Sequence, residues 1–127
     1  MIEAELYLYA GCTSCRNAES VLKANGAQVA RREFFKDPLS PAEITALFAR
    51  VRTTPRAMLS TRSRPYQELG LAGRELSDNE IVQLMSEHPA LIRRPIVVVG
   101  DQALVGFNRG SMERLLVEKE QEGNGHA

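Results

Sequence analysis

The chain has 127 residues, 43% hydrophobic and 25% charged, with sixteen basic residues balanced by sixteen acidic ones. That length fits one domain with a real core. A formal net charge of zero argues against a general nucleic-acid binder, and no apolar run approaches the roughly 20 residues that span a bilayer.

The opening residues, MIEAELYLYA, lack the basic start and long apolar run of a secretory signal. The expected compartment is therefore the cytoplasm, where two close cysteines more often do redox chemistry than staple a fold. Residues 5–10 read as a strand rich in Leu and Tyr. Cys12-Thr13-Ser14-Cys15 follows and opens a helix expected over 13–25. Cys15, Ala18, Val21 and Leu22 share its inner face, and Asn25-Gly26 is its stop signal. Residues 28–34 read as a second strand.

Ser40 is the expected N-cap of a helix over 41–51, with Pro41 at its first position and Glu43 at its third. Its inward residues are Ile44, Leu47 and Phe48. The connector 52–65 is basic and broken by Pro55 and Pro65, with room for one short helix at 55–60 and another following at 66–71. Ser77 is expected to cap a helix over 78–87, with Glu80 in capping-box position and Ile81, Leu84 and Met85 inward. Ile96-Val97-Val98-Val99 is the strongest strand signal, and its unbroken apolar run predicts burial on both faces. Gly100-Asp101 turns it into a hairpin over 96–107. A final helix is expected over about 110–120, and 121–127 reads as a flexible tail. The order β-α-β, several helices, β-β-α gives an α/β fold of thioredoxin-like arrangement, one domain over 1–120, with a helical insertion of roughly 60 residues between its halves.

The chemistry concentrates on the cysteines, which are the only two in the chain. Cys12 sits at the loop–helix junction, where free amides and the helix dipole favour a thiolate. It is the candidate nucleophile, and Cys15, one turn in, is the candidate resolving thiol. A plainer reading makes Cys15 a small core residue. Half of a zinc site is disfavoured, because the chain has only two histidines and His126 lies in the tail. Arg16 adds positive charge next to the pair. The basic residues are thirteen Arg and three Lys, and the stretch from Arg50 to Arg64 holds five Arg and no acid. A GC-rich coding sequence would explain that bias; so would recognition of an oxyanion by guanidinium forks. His88 reads as a helix-end residue rather than a base.

With these residues in place, the chain resembles the arsenate reductase family that includes the Spx-type regulators, over about residues 5–118. The anchors are CTSCRNA at 12–18, DPLSPAEI at 37–44, STRS at 60–63, PYQELGL at 65–71 and EHPALIRRPIVV at 87–98. The resemblance implies a cis peptide bond before Pro95, facing the active cysteine, where an ordinary strand-start proline is the plainer alternative. It implies that Arg94, with Arg62 as a second candidate, binds an oxyanion or steadies the thiolate; each could equally be a solvated surface arginine.

Two functions follow from it. One is a thiol oxidoreductase that reduces arsenate or a related oxidant through Cys12. Its partners would be a small oxyanion substrate and a thiol reductant, glutathione with glutaredoxin or thioredoxin, with no bound cofactor or metal. Ser60 and Phe107 stand where such enzymes place arginines, and Arg62 and Arg109 lie close to them in sequence. The other is a redox-switched transcription regulator that binds the RNA polymerase α subunit. Those regulators carry a glycine in the connector before STRS, and residues 50–58 here have none.

Overall fold

A computed structural model describes residues 2–124 of the chain. His126 and the last residues of the expected tail lie outside the described residues. The chain forms two compact units. One is built from Met1–Glu33 with Arg94–Ala127, the other from Phe34–Arg93. The second of these is the expected helical insertion.

The first unit begins with β1 (Glu3–Leu8), α1 (Thr13–Ala24) and β2 (Gln28–Glu33). It resumes with β3 (Ile96–Val99), β4 (Gln102–Val105) and α5 (Arg109–Asn124). Three further helices belong to the insertion. Among the described residues the strands form one mixed sheet in the order β2-β1-β3-β4. β1 runs parallel to β2 and antiparallel to β3, and β3 and β4 form the hairpin. This is the α/β, thioredoxin-like arrangement that the element order predicts.

The alternation of β1 sends Ala4, Leu6 and Leu8 into the core. There they meet Cys15, Ala18, Val21 and Leu22 of α1, Val97 and Val99 of β3, and Met112, Leu115 and Leu116 of α5. All four residues of β3 are buried, as its apolar run predicts. Truncating a fully enclosed side chain of this cluster, such as Leu6, to Ala would cost about 2–5 kcal/mol.

The second unit holds α2 (Pro41–Arg50), α3 (Arg64–Glu68), α4 (Asp78–Glu87) and a 3-10 turn at Pro89–Leu91. α2 and α4 each begin with the capping box read from the sequence. Ser40 Oγ accepts from the Glu43 N–H at 3.1 Å, and Glu43 Oε1 accepts from the Ser40 N–H at 3.1 Å. Ser77 and Glu80 repeat the pair at 3.2 and 3.1 Å. The connector is tied to the segment before the last strands: Leu59 bridges Ile92, the Ser60 N–H donates to the Leu91 carbonyl at 2.7 Å, and the Arg93 N–H donates to the Met58 carbonyl at 3.0 Å.

Several boundaries differ from the sequence reading. β1 begins at Glu3 and ends at Leu8, because its register is set by pairing Glu3 to Gln28 and Leu8 to Glu33. Tyr9 and Ala10 therefore fall in the loop before α1. Residues 55–60 turn without forming a helix; Thr54 Oγ1 accepts from the Ala57 N–H, and the Met58 N–H reaches both the Thr54 and Pro55 carbonyls. The helix expected over 66–71 is earlier, at Arg64–Glu68, because Ser63 caps it by accepting from the Tyr66 N–H. In α4 the buried residues are Ile81, Val82 and Met85, with Leu84 only half-buried. α5 continues past 120 to Asn124. Among the described residues no helix is long and apolar enough to cross a membrane.

Candidate functional site

The first unit brings Cys12, Cys15 and Arg94 together, and Pro95 follows Arg94 directly before β3. Cys12 is the N-cap residue of α1, with extended backbone at φ −93° and ψ 123°. Its carbonyl accepts the first intrahelical bond, from the Arg16 N–H at 3.1 Å, and its own N–H donates to the Tyr9 carbonyl at 3.0 Å. The thiol is thus fixed where the helix amides are not yet used by the helix. Its sulfur closes no ideal side-chain cap, yet the Cys15 and Ser14 amides face it closely enough to favour its anion.

The two thiols have opposite characters. For Cys12 partial burial is the largest single influence and pushes its pKa up. Hydrogen bonds from the Cys15 thiol and amide, the Arg94 charge and the Ser14 amide together outweigh it, so the pKa lies below the ordinary value of 9.0. Cys15 is fully enclosed. Burial pushes its pKa up to about 12; the Cys12 hydrogen bond and charge add to the rise, while a Tyr9 main-chain hydrogen bond and Arg94 oppose it. One thiol is poised to ionise and the other holds its proton and donates it. Both are free thiols in this structure.

Arg94 is half-buried, directly before a cis peptide bond to Pro95. The Pro95 carbonyl accepts from the Gly106 N–H at 2.8 Å, which fixes the start of β3 against the end of β4. The Arg94 guanidinium lies over the Tyr9 ring, 5.8 Å from its centroid. Arg16 is exposed, and its guanidinium reaches Thr13 Oγ1 at 3.4 Å. Arg62 belongs to the second unit, exposed in the turn before α3.

Three residues near the thiols escaped the sequence reading. The strand expected over 5–10 includes Tyr9, which instead lies in the loop under Arg94. Gly11 lies against the Tyr9 ring. Glu33, at the end of β2, accepts from the Ala10 N–H through Oε1 at 3.3 Å. A Tyr-x-Gly just before the first cysteine was the local signal available for the first two.

A family model described as the ArsC family matches residues 7–115. Among curated relatives, the chain is 32% identical over 114 residues to the global transcriptional regulator Spx of Bacillus subtilis, covering 90% of this chain and 87% of that one. It is 32% identical over 113 residues to the regulatory protein MgsR of the same organism, covering 89% and 90%. Among solved structures, an arsenate reductase from Vibrio cholerae superposes with a TM-score of 0.80 at 28% identity, covering 89% of this chain and 97% of that one.

Proposed function

This chain belongs to the ArsC family, and from that premise we propose that it is a two-thiol redox protein whose Cys12–Cys15 pair switches a transcription regulator of the Spx kind. The observation that carries the reading is the contrast between the two sulfurs. A thiol with lowered pKa accepts a hydrogen bond from an enclosed thiol one helical turn away. With hydrogen peroxide as oxidant, the Cys12 thiolate attacks one oxygen, the O–O bond breaks, the other oxygen leaves as hydroxide and is protonated to water, and Cys12 becomes a sulfenic acid. Cys15 sulfur then attacks the Cys12 sulfur, losing its proton as hydroxide leaves to form water. Two thiols and one peroxide give one disulfide and two waters. Closing the disulfide removes the hydrogen bonds and charge at the start of α1, which is the local change a partner would sense.

The partner in this reading is the C-terminal domain of the RNA polymerase α subunit, and the compartment is the cytoplasm, where glutathione with glutaredoxin or thioredoxin returns the pair to thiols. Similarity to two regulators across about nine-tenths of the chain supports it. The test is capture of the purified α domain by the oxidised and the reduced protein. Binding that differs between the two states is expected; no binding in either state removes the regulator reading.

A second reading, the other function that the resemblance implies, is reduction of arsenate or a related oxidant. The Arg94 charge acting on Cys12 favours it, together with the likeness to the Vibrio cholerae enzyme. Cys12 would displace water from arsenate to form a thiol–arsenate adduct. Attack of Cys15 on the Cys12 sulfur would release arsenite and leave the disulfide, so the arsenic gains the two electrons that the thiols lose. Arg94 would hold the oxyanion. Arsenate-dependent NADPH consumption with glutathione, glutaredoxin and its reductase measures this. Turnover no greater than that of Cys12→Ser would end the arsenate reading.

A further inference from the structure

We propose that Tyr9 is a positioning residue, whose ring holds the Arg94 guanidinium beside Cys12 and lies where it does because residue 11 has no side chain. The inference rests on Cys12 being the reacting thiol.

Three observations converge on the ring. The Arg94 Cζ is 5.8 Å from its centroid, within the range of a cation–π contact. A Cβ at Gly11 would fall 2.6 Å from Tyr9 Cζ, 2.7 Å from Oη and 2.8 Å from Cε2, all closer than carbon atoms pack. Gly11 has no left-handed backbone, so space and not φ is what its hydrogen provides. The loop that carries the ring is itself pinned. The Tyr9 carbonyl accepts from the Cys12 N–H at 3.0 Å, and Glu33 Oε1 accepts from the Ala10 N–H at 3.3 Å.

An arginine side chain is long and has many rotamers. Its field at a nearby sulfur depends on which of them it occupies. The ring face restricts that choice, and the main-chain bond from Cys12 to Tyr9 fixes the ring relative to the sulfur. The groups that then face the thiol loop are Arg94, the Cys15 thiol, the Tyr9 phenol and, from β2, the Glu33 carboxylate. Of these, Arg94 is the cation whose charge favours the Cys12 anion. Tyr9 acts through it.

The test is the rate of Cys12 alkylation by iodoacetamide against pH, in wild type, Tyr9→Leu, Tyr9→Phe, Arg94→Ala and the Tyr9→Leu/Arg94→Ala pair, with circular dichroism as the check on folding. Arg94→Ala is expected to move the midpoint up. Tyr9→Leu moves it in the same direction and slows alkylation at neutral pH by about two- to fivefold, the scale of a partly exposed cation–π contact. Tyr9→Phe keeps the ring and the wild-type profile. The double variant is no slower than Arg94→Ala alone. Gly11→Ala, whose methyl must displace the ring, slows wild type but neither the Tyr9→Leu nor the Arg94→Ala background, and the Arg94→Ala comparison carries the test if Tyr9→Leu does not fold. An unchanged midpoint in folded Tyr9→Leu, beside a shifted one in Arg94→Ala, overturns the role of Tyr9. So does slowing that adds fully in the double variant. An unchanged midpoint in Arg94→Ala as well overturns instead the reading of the thiol site itself.

Discussion

Three helix starts in this chain use the same main-chain donors in two ways. At α2 and α4 the free amides go to serine hydroxyls, and Glu43 and Glu80 close the boxes from the other side. At α1 the residue in the same position is Cys12, and the amides face a sulfur. The first arrangement satisfies the donors with neutral oxygens and fastens the helix end. The second leaves them aimed at a group that gains a negative charge, which is how a stabilising position becomes a reactive one. The same contrast appears one turn further in. Position three is Glu in α2 and α4, exposed and reaching back; in α1 it is Cys15, enclosed in the core.

The greatest change should follow from removing the sulfur. Cys12→Ser gives α1 a start of the same chemistry as Ser40 and Ser77. Mild oxidation of the wild type should lower its intact mass by two hydrogens, and Cys12→Ser should show no such loss. Two free thiols persisting in oxidised wild type would refute the redox pair altogether.

The next effect concerns the charge. Cys12 has its pKa below 9.0, so at neutral pH its alkylation should be faster than that of an ordinary thiol, and the midpoint of the pH profile should lie lower. Cys15→Ala removes a thiol donor from the Cys12 anion, so the midpoint should rise and the neutral-pH rate should fall. Cys15 itself, enclosed and pushed up to about 12, should resist alkylation in the folded protein at neutral pH. Peptide mapping after partial alkylation reads both thiols at once. Equal labelling would contradict the contrast between them.

The capped helices give a smaller effect of a different kind. Ser40→Ala and Ser77→Ala should each cost about 1 kcal/mol in denaturant unfolding and leave the Cys12 profile where it was. A shift of that profile would mean that the helix starts of the insertion and the thiol loop are not separable.

These features were not equally legible in the sequence. Ser40, Pro41 and Glu43, like Ser77 and Glu80, are local signals within four residues, and the structure closes both boxes as read. The run Ile96 to Val99 is legible for the same reason: four adjacent apolar β-formers admit few alternatives. The edges of β1 were not, because a strand's register is decided by its partners, and Tyr7 and Tyr9 look alike until Leu8 pairs with Glu33. The length of α5 was masked by its charge. The residues from Gln121 onward read as a flexible tail, yet Gln and Glu are good helix formers and α5 continues through them. At the site, the two cysteines were evident, whereas Tyr9 under Arg94 is a contact between residues far apart in the chain. The resemblance supplied Arg94 and Pro95; nothing in it pointed to the ring.

The smallest effect tests whether the thiolate also serves α1 as a cap. A thiol whose pKa is lowered on folding contributes stability that is fully present above its unfolded value, 9.0, and is lost as pH falls through the lower folded value. Cys12→Ser has no such titration, since a hydroxyl caps alike at every pH in that range. The stability difference between wild type and Cys12→Ser should therefore move in favour of serine as pH falls from 9.0 through the Cys12 midpoint, then level off. Cys15 is raised instead, so its own linkage falls in the alkaline window between 9.0 and about 12, where stability declines as the unfolded thiol ionises first. The two windows do not overlap. Denaturant unfolding of reduced wild type and Cys12→Ser across neutral pH therefore isolates the first. A difference that stays flat with pH would mean that the α1 amides stabilise the sulfur no better in the folded protein than water does in the unfolded chain, and that α1 starts without a cap.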